Sequence, residues 1–179
     1  MKLIAIVGMP GSGKSVAGDF FRSNNIPVLR FGDQVDIGLK EYNLPRNEKN
    51  ERWYREKLRQ ELGMAAMAIK IEPRILENAK SAQIIVLNGL YSWEEYIYLK
   101  RKFPNIMLLC IYASPSTRYK RLSQRQIRPL TPAEAKSRDY AEIEHLNKGG
   151  PIAISDYCII NEGDQDALLQ VLDEFFHLL

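Results

Sequence analysis

Apolar positions alternate along the chain between two kinds of pattern. Leu3-Ile-Ala-Ile-Val7 is an unbroken apolar run, as expected of a strand covered on both faces. After a Gly-rich turn, Val16, Ala17, Phe20 and Phe21 recur at helical spacing. Residues 27–31 predict a second strand, and residues 34–40 a short helix. Residues 43–50 are polar and contain Pro45, which reads as a loop. Leu58, Leu62, Ala65, Ala66 and Ile69 then mark one long amphipathic helix, and Pro73 is placed to open a further short one. Residues 84–87 and 106–112 predict the third and fourth strands, with a helix over residues 93–102 between them. Pro115 opens a helix running to about residue 126. Thr131-Pro-Ala-Glu134 combines a capping threonine, proline at the first helical position and a glutamate three residues on. Residues 158–160 predict a short last strand, and Leu168, Leu172, Phe175 and Leu179 form the stripe of a final helix. Strands alternate with helices throughout. The expected fold is therefore α/β in three layers, a five-stranded, mostly parallel sheet with helices on both faces.

Composition narrows the class. A chain of 179 residues suits one domain with a single sizeable core. Hydrophobic and charged fractions of 45% and 26% are those of an ordinary globular protein. A net charge of +3 is too mild to imply nucleic acid, so no nucleic-acid partner is expected, but it suits local basic sites for phosphorylated small molecules. Cys110 and Cys158 each lie in an apolar run and are expected to be small buried core residues. His145 and His177 stand alone, and no metal-spaced cluster exists. The opening apolar run is too short for a signal peptide, and no stretch is long enough to cross a membrane. A cytoplasmic monomer or weak dimer is the expectation.

The segment Gly8-Met9-Pro10-Gly11-Ser12-Gly13-Lys14-Ser15 matches the phosphate-binding pattern G-x-x-x-x-G-K-S without exception. Chance alone gives such a match in about one percent of chains this long. Its place between a buried strand and a helix strengthens it. The glycines let the backbone turn inward and aim N–H groups at phosphate oxygens, and the helix that follows adds its positive end. Lys14 is the mobile cation for β- and γ-phosphates, and Ser15 offers a hydroxyl to Mg²⁺. ATP with Mg²⁺ is the expected ligand.

Beyond this loop, the chain resembles the nucleoside monophosphate kinase superfamily nearly from end to end. The likeness is nearest to an adenylate-kinase-related family and more distant to dephospho-coenzyme A kinases. It runs through Phe31-Gly-Asp33, Leu58-Arg-Gln-Glu-Leu-Gly63, Asn88-Gly-Leu90, Arg121 with Arg125, Arg138-Asp139 and Asp156-Tyr-Cys-Ile-Ile-Asn161. The resemblance implies an acceptor-binding insert over about residues 33–80 and a lid over about residues 118–138. Asp33 would be the base for a hydroxyl acceptor or would position ligand or metal; it serves equally as the cap of the helix it precedes. Relatives usually carry arginine at position 36, aspartate at 88 and arginine soon after, whereas this chain has Asp36, Asn88 and Tyr91. Arg59 is then the next candidate for the acceptor phosphate, or a solvated helix arginine. Gly89 and Tyr91 complete the expected acceptor side. Asn161-Glu-Gly163 would reach the adenine, or is an ordinary turn.

From residue 114 to residue 133 no acidic side chain occurs, while Arg118, Lys120, Arg121, Arg125 and Arg128 all fall there. The first, third and fourth of these share a helix face at i, i+3 and i+7, and a cluster of unpaired arginines fits phosphate. Arg128 precedes Pro129, which predicts an extended turn off the helix. In the lid reading, Arg121 stacks over the adenine of ATP, Arg125 and Arg128 close on its phosphates, and Arg138 joins from the next helix. Lys14, Asp33, Arg125 and Arg138 are the expected catalytic set. Transfer to a nucleoside monophosphate such as AMP is the first functional expectation. A small-molecule hydroxyl kinase is the second, and a nucleotide-binding regulator without turnover the third.

Overall fold

In the computed structural model, which describes residues 1–179, five strands form one sheet. They are β1 (Lys2–Val7), β2 (Val28–Arg30), β3 (Ile84–Asn88), β4 (Met107–Tyr112) and β5 (Tyr157–Ile160), in the order β2-β3-β1-β4-β5. Every neighbouring pair is parallel, so the sheet expected to be mostly parallel is parallel throughout. Parallel strands need crossovers, and eight helices lie in them: α1 (Lys14–Ser23), α2 (Asp33–Glu41), α3 (Glu48–Leu62), α4 (Ala66–Asn78), α5 (Trp93–Lys102), α6 (Pro115–Ser123), α7 (Pro132–Leu146) and α8 (Gly149–Ala153); a ninth, α9 (Gln165–Phe176), follows the last strand.

The pleat of β1 divides the core. Leu3, Ala5 and Val7 point into a cluster with Leu39, Leu58, Ile71, Ile75 and Leu99 from α2 to α5. Ile4 and Ile6 point the other way, onto Ala17 and Phe21 of α1 and Leu168, Leu172 and Phe175 of α9. Three layers result. No helix is long and apolar enough to cross a membrane.

Several boundaries differ from the sequence reading. The expected long helix through Leu58 and Ile69 is two helices. Gly63 ends α3 with φ +75°, a conformation that L side chains rarely adopt, and α4 restarts at Ala66. Pro73 lies inside α4 rather than opening a helix. The supposed loop over residues 43–50 already contains the start of α3, where the side chain of Asn47 accepts from the Asn50 N–H. The helix from Pro115 stops at Ser123, so Arg125 is off it and shares no helix face with Arg118 and Arg121. Arg128 has φ +53° and is left-handed, not extended. Cys110 is buried as expected but Cys158 is exposed, because β5 is an edge strand. The Thr131 signal is realised in full, with Glu134 reaching back to the Thr131 N–H at 2.8 Å.

Candidate active site

The loop leaves β1 and enters α1 through glycines in positive-φ conformations: Gly8 (φ 142°), Gly11 (φ 81°) and Gly13 (φ 109°). Neighbours hold it closely. A Cβ on Gly13 would lie 2.4 Å from Asn161 Nδ2, and one on Gly8 would lie 2.3 Å from the Ile111 carbonyl. Asn161 Nδ2 donates to the Ser12 carbonyl at 2.8 Å, and Arg118 donates to the Pro10 carbonyl at 3.1 Å. No backbone carbonyl accepts from the N–H groups of Gly13, Lys14 and Ser15, which face the α1 end as an anion-binding cradle. The Ser12 hydroxyl is buried without a partner. These unpaired donors fit a chain of phosphates.

Lys14 donates to the Met9 carbonyl at 2.9 Å across this cradle. Burial, and then the nearby Lys148 ammonium, pull its pKa down from 10.5 to about 7. The cavity above the loop measures about 330 Å³ and takes in Ser15, Arg30, Asn88, Gly89, Tyr91, Arg121, Arg125, Arg138 and Lys148. A second, wider cavity of about 980 Å³ adjoins it. Six arginines line that one: Arg46, Arg55, Arg59, Arg125, Arg128 and Arg138. Gly32, Tyr91, Arg125 and Arg138 belong to both walls.

The arginines differ in what already holds them. Arg46, Arg55 and Arg128 pair with Glu48, Glu51 or Asp36 at 3.0–3.6 Å. Arg118 is not a free lid cation as expected. It is buried, clamps Asp139 in bidentate fashion at 2.7 and 2.9 Å, and donates to the Ala113 carbonyl. Its charge holds α6 against α7 and the loop. Arg121 is directed at the end of β5, donating to the carbonyls of Asn161 (3.0 Å) and Gly163 (2.6 Å). Arg30, Arg59 and Arg125 have no carboxylate partner. Burial, and then repulsion from Arg138, lower the Arg125 pKa.

Asp33 stands at the first helical position of α2, with Gly32 as the capping residue, and its carboxylate lies 3.6 Å from Arg74. It is not part of either cavity wall. Asp36 faces Arg46, as its charge dictates. Asn88 donates weakly to the Lys14 carbonyl at 3.4 Å.

Among the wall residues that the sequence reading does not single out are Arg30, Glu95, Glu142 and Lys148. Glu95 Oε2 caps α5, accepting from the N–H groups of Tyr91 (2.8 Å) and Ser92 (3.2 Å). Burial pushes its pKa up to about 7, against those two backbone donors. Glu142 is ion-paired with Lys148 and with Arg138 (2.9 Å). Burial raises its pKa, but the Lys148 ammonium and Arg138 outweigh burial and leave it below the usual carboxylate range.

Sequence comparison places this arrangement. A family model described as an AAA domain matches residues 4–145, covering the loop and most of both walls. A UPF0200 protein of Methanocaldococcus jannaschii is 34% identical over 97% of this chain and 88% of its own length. Another, of Pyrococcus abyssi, is 33% identical over 89% and 87%. The chain belongs to the AAA domain family and to the UPF0200 proteins. This UPF0200 chain also superposes on a shikimate kinase of Bacteroides thetaiotaomicron with a TM-score of 0.62 at 14% identity, covering 98% of each chain. At that identity the likeness is one of fold. It is the P-loop kinase fold, as the resemblance to the nucleoside monophosphate kinase superfamily implies.

Proposed function

We propose that this chain is an ATP-dependent phosphotransferase whose acceptor is a nucleoside monophosphate such as AMP. The observation that carries the reading is the pair of adjoining cavities, one on the phosphate loop and one walled by arginines, sharing Tyr91, Arg125 and Arg138. A phosphate donor in the first and an anionic acceptor in the second would meet at those shared residues. Gly8 to Ser15 would hold the phosphates, with Lys14 leaving the Met9 carbonyl for a phosphate oxygen. Ser15 would hold Mg²⁺, which supplies charge neutralisation when bound; the neutral Asn88 adds none. Arg59 would take the acceptor phosphate. Residues 1–179 act as one domain, with about 33–80 as acceptor insert and about 118–138 as lid, closing with Arg125, Arg128 and Arg138. A phosphate acceptor needs no base, so positioning and cationic stabilisation do the work.

Coupled assays of ATP consumption over a panel of nucleoside monophosphates test this, with turnover expected on at least one. Tight ATP binding without turnover on any acceptor would sink it and leave the regulator reading that Asp36, Asn88 and Tyr91 motivate. Lys14→Ala is expected to lower ATP affinity or kcat at least tenfold, about 1.4 kcal/mol.

A hydroxyl acceptor is the second reading, and Glu95 favours it over the expected Asp33. Its Oε1 accepts no hydrogen bond from the protein, and its pKa of about 7 suits a general base. Glu95→Gln keeps an acceptor for the α5 cap. With a hydroxyl substrate it should cost about a hundredfold in kcat; with a nucleoside monophosphate kcat should change less than threefold.

A further inference from the structure

Lys148 is the most fully buried charged residue of the molecule, at 2% exposure. It lines the loop cavity, beside Tyr91, which both cavities share. The turn that delivers it is firmly built. Asn147 ends α7 in a left-handed conformation (φ 49°), and its Nδ2 donates to Glu94 Oε1 at 2.8 Å. Gly150 lies against Trp93, where a Cβ would come within 2.7 Å of the indole. Both contacts tie the turn to α5, directly after Tyr91. The Lys148 ammonium stands over the Tyr91 ring, 4.6 Å from its centroid.

That position has a meaning in this chain. Tyr91 lines both cavities, and a phenol cannot neutralise phosphate. A lysine from another element sets a cation beside it. Lys148 lines the loop cavity together with Lys14, Arg125 and Arg138. Its one carboxylate partner, Glu142, is shared with Arg138. Two cations on one carboxylate leave a net positive charge that an incoming phosphoryl group would complete. An ammonium kept in a desolvated cavity is costly unless something there uses it.

Resting on the phosphotransferase reading, we propose that Lys148 is a further catalytic residue, whose ammonium binds the phosphoryl group in transfer while Glu142 serves as its counter-ion in the empty enzyme. Transfer breaks the bond between the terminal phosphorus and its bridging oxygen, whose electron pair stays on the departing diphosphate. A bond to an acceptor phosphate oxygen forms. Lys148 makes no covalent bond and keeps its protons; it stabilises the oxygens that carry the charge.

The test compares ATP and ADP binding to the full chain by calorimetry, because only ATP carries the group Lys148 would touch. In Lys148→Met the affinity ratio of ATP to ADP should fall at least tenfold, while ADP affinity stays within threefold of wild type. Lys148→Arg should recover part of the ratio. A ratio within threefold of wild type in Lys148→Met would overturn the assignment and leave Lys148 a structural counter-ion. Should Lys148→Met fail to melt cooperatively, Lys148→Gln, which can still donate to Glu142, is read by the same two outcomes. If wild type binds both nucleotides but turns over no acceptor, the kinase reading falls while the Lys148 measurement still stands.

Discussion

Lys14 shows how much one residue's environment decides. Its pKa of about 7 lies below the ordinary lysine value because burial, and then Lys148, disfavour the charge. A folded-state pKa below the unfolded one means that folding releases a proton between the two. The stability of the empty protein should therefore rise with pH from about 7 towards 10, as denaturant titrations at several pH values would show. A bound polyphosphate reverses the balance and draws the proton back. ATP affinity should weaken as pH rises above about 7, and calorimetry in buffers of different ionisation enthalpy should report proton uptake at pH 8. Absence of uptake would contradict the depressed value. The loop itself was legible in the sequence because its glycines, lysine and serine fall at a fixed spacing along the chain. Lys148 and Glu142 were not. Asn147-Lys-Gly-Gly150 announces only that a helix stops, and nothing in it says that the lysine turns inward to meet Tyr91.

At the scale of elements, α6 and α7 are joined by a buried ion pair rather than by apolar packing alone. Arg118 and Asp139 are 5% and 7% exposed. Removing one partner strands the other, so Arg118→Ala is expected to cost about 3–5 kcal/mol in chemical denaturation. It should also weaken ATP binding, since Arg118 supports the Pro10 carbonyl. The run of basic residues was visible beforehand, but their partners were not. Arg118 is balanced by an aspartate 21 positions away on the next helix. The strands were readable for a different reason: a strand covered on both faces is a continuous apolar run. The break at Gly63 was hidden because Leu58, Leu62, Ala65 and Ala66 keep helical spacing across it. Only the backbone angle of Gly63 separates two helices from one.

Across the whole molecule, the segment after α6 touches the start of α3 through Arg128, which reaches Glu48 at 3.2 Å and Glu51 at 3.5 Å. Arg128 and Glu48 are 61% and 69% exposed, so the contact is a weak latch. Arg128→Ala should leave stability within about 1 kcal/mol of wild type. Faster amide exchange at the start of α3 is expected in the same variant, and unchanged exchange would argue against a latch. The pinning of the loop by Asn161 has a consequence for how the protein comes into being. The carboxamide that fixes the Ser12 carbonyl lies 149 positions further along. A chain emerging from the ribosome exposes its phosphate loop long before β5 has been made, yet cannot set it until then. Nucleotide would protect from proteolysis only a chain that already includes β5, and the loop would become competent long after it is synthesised.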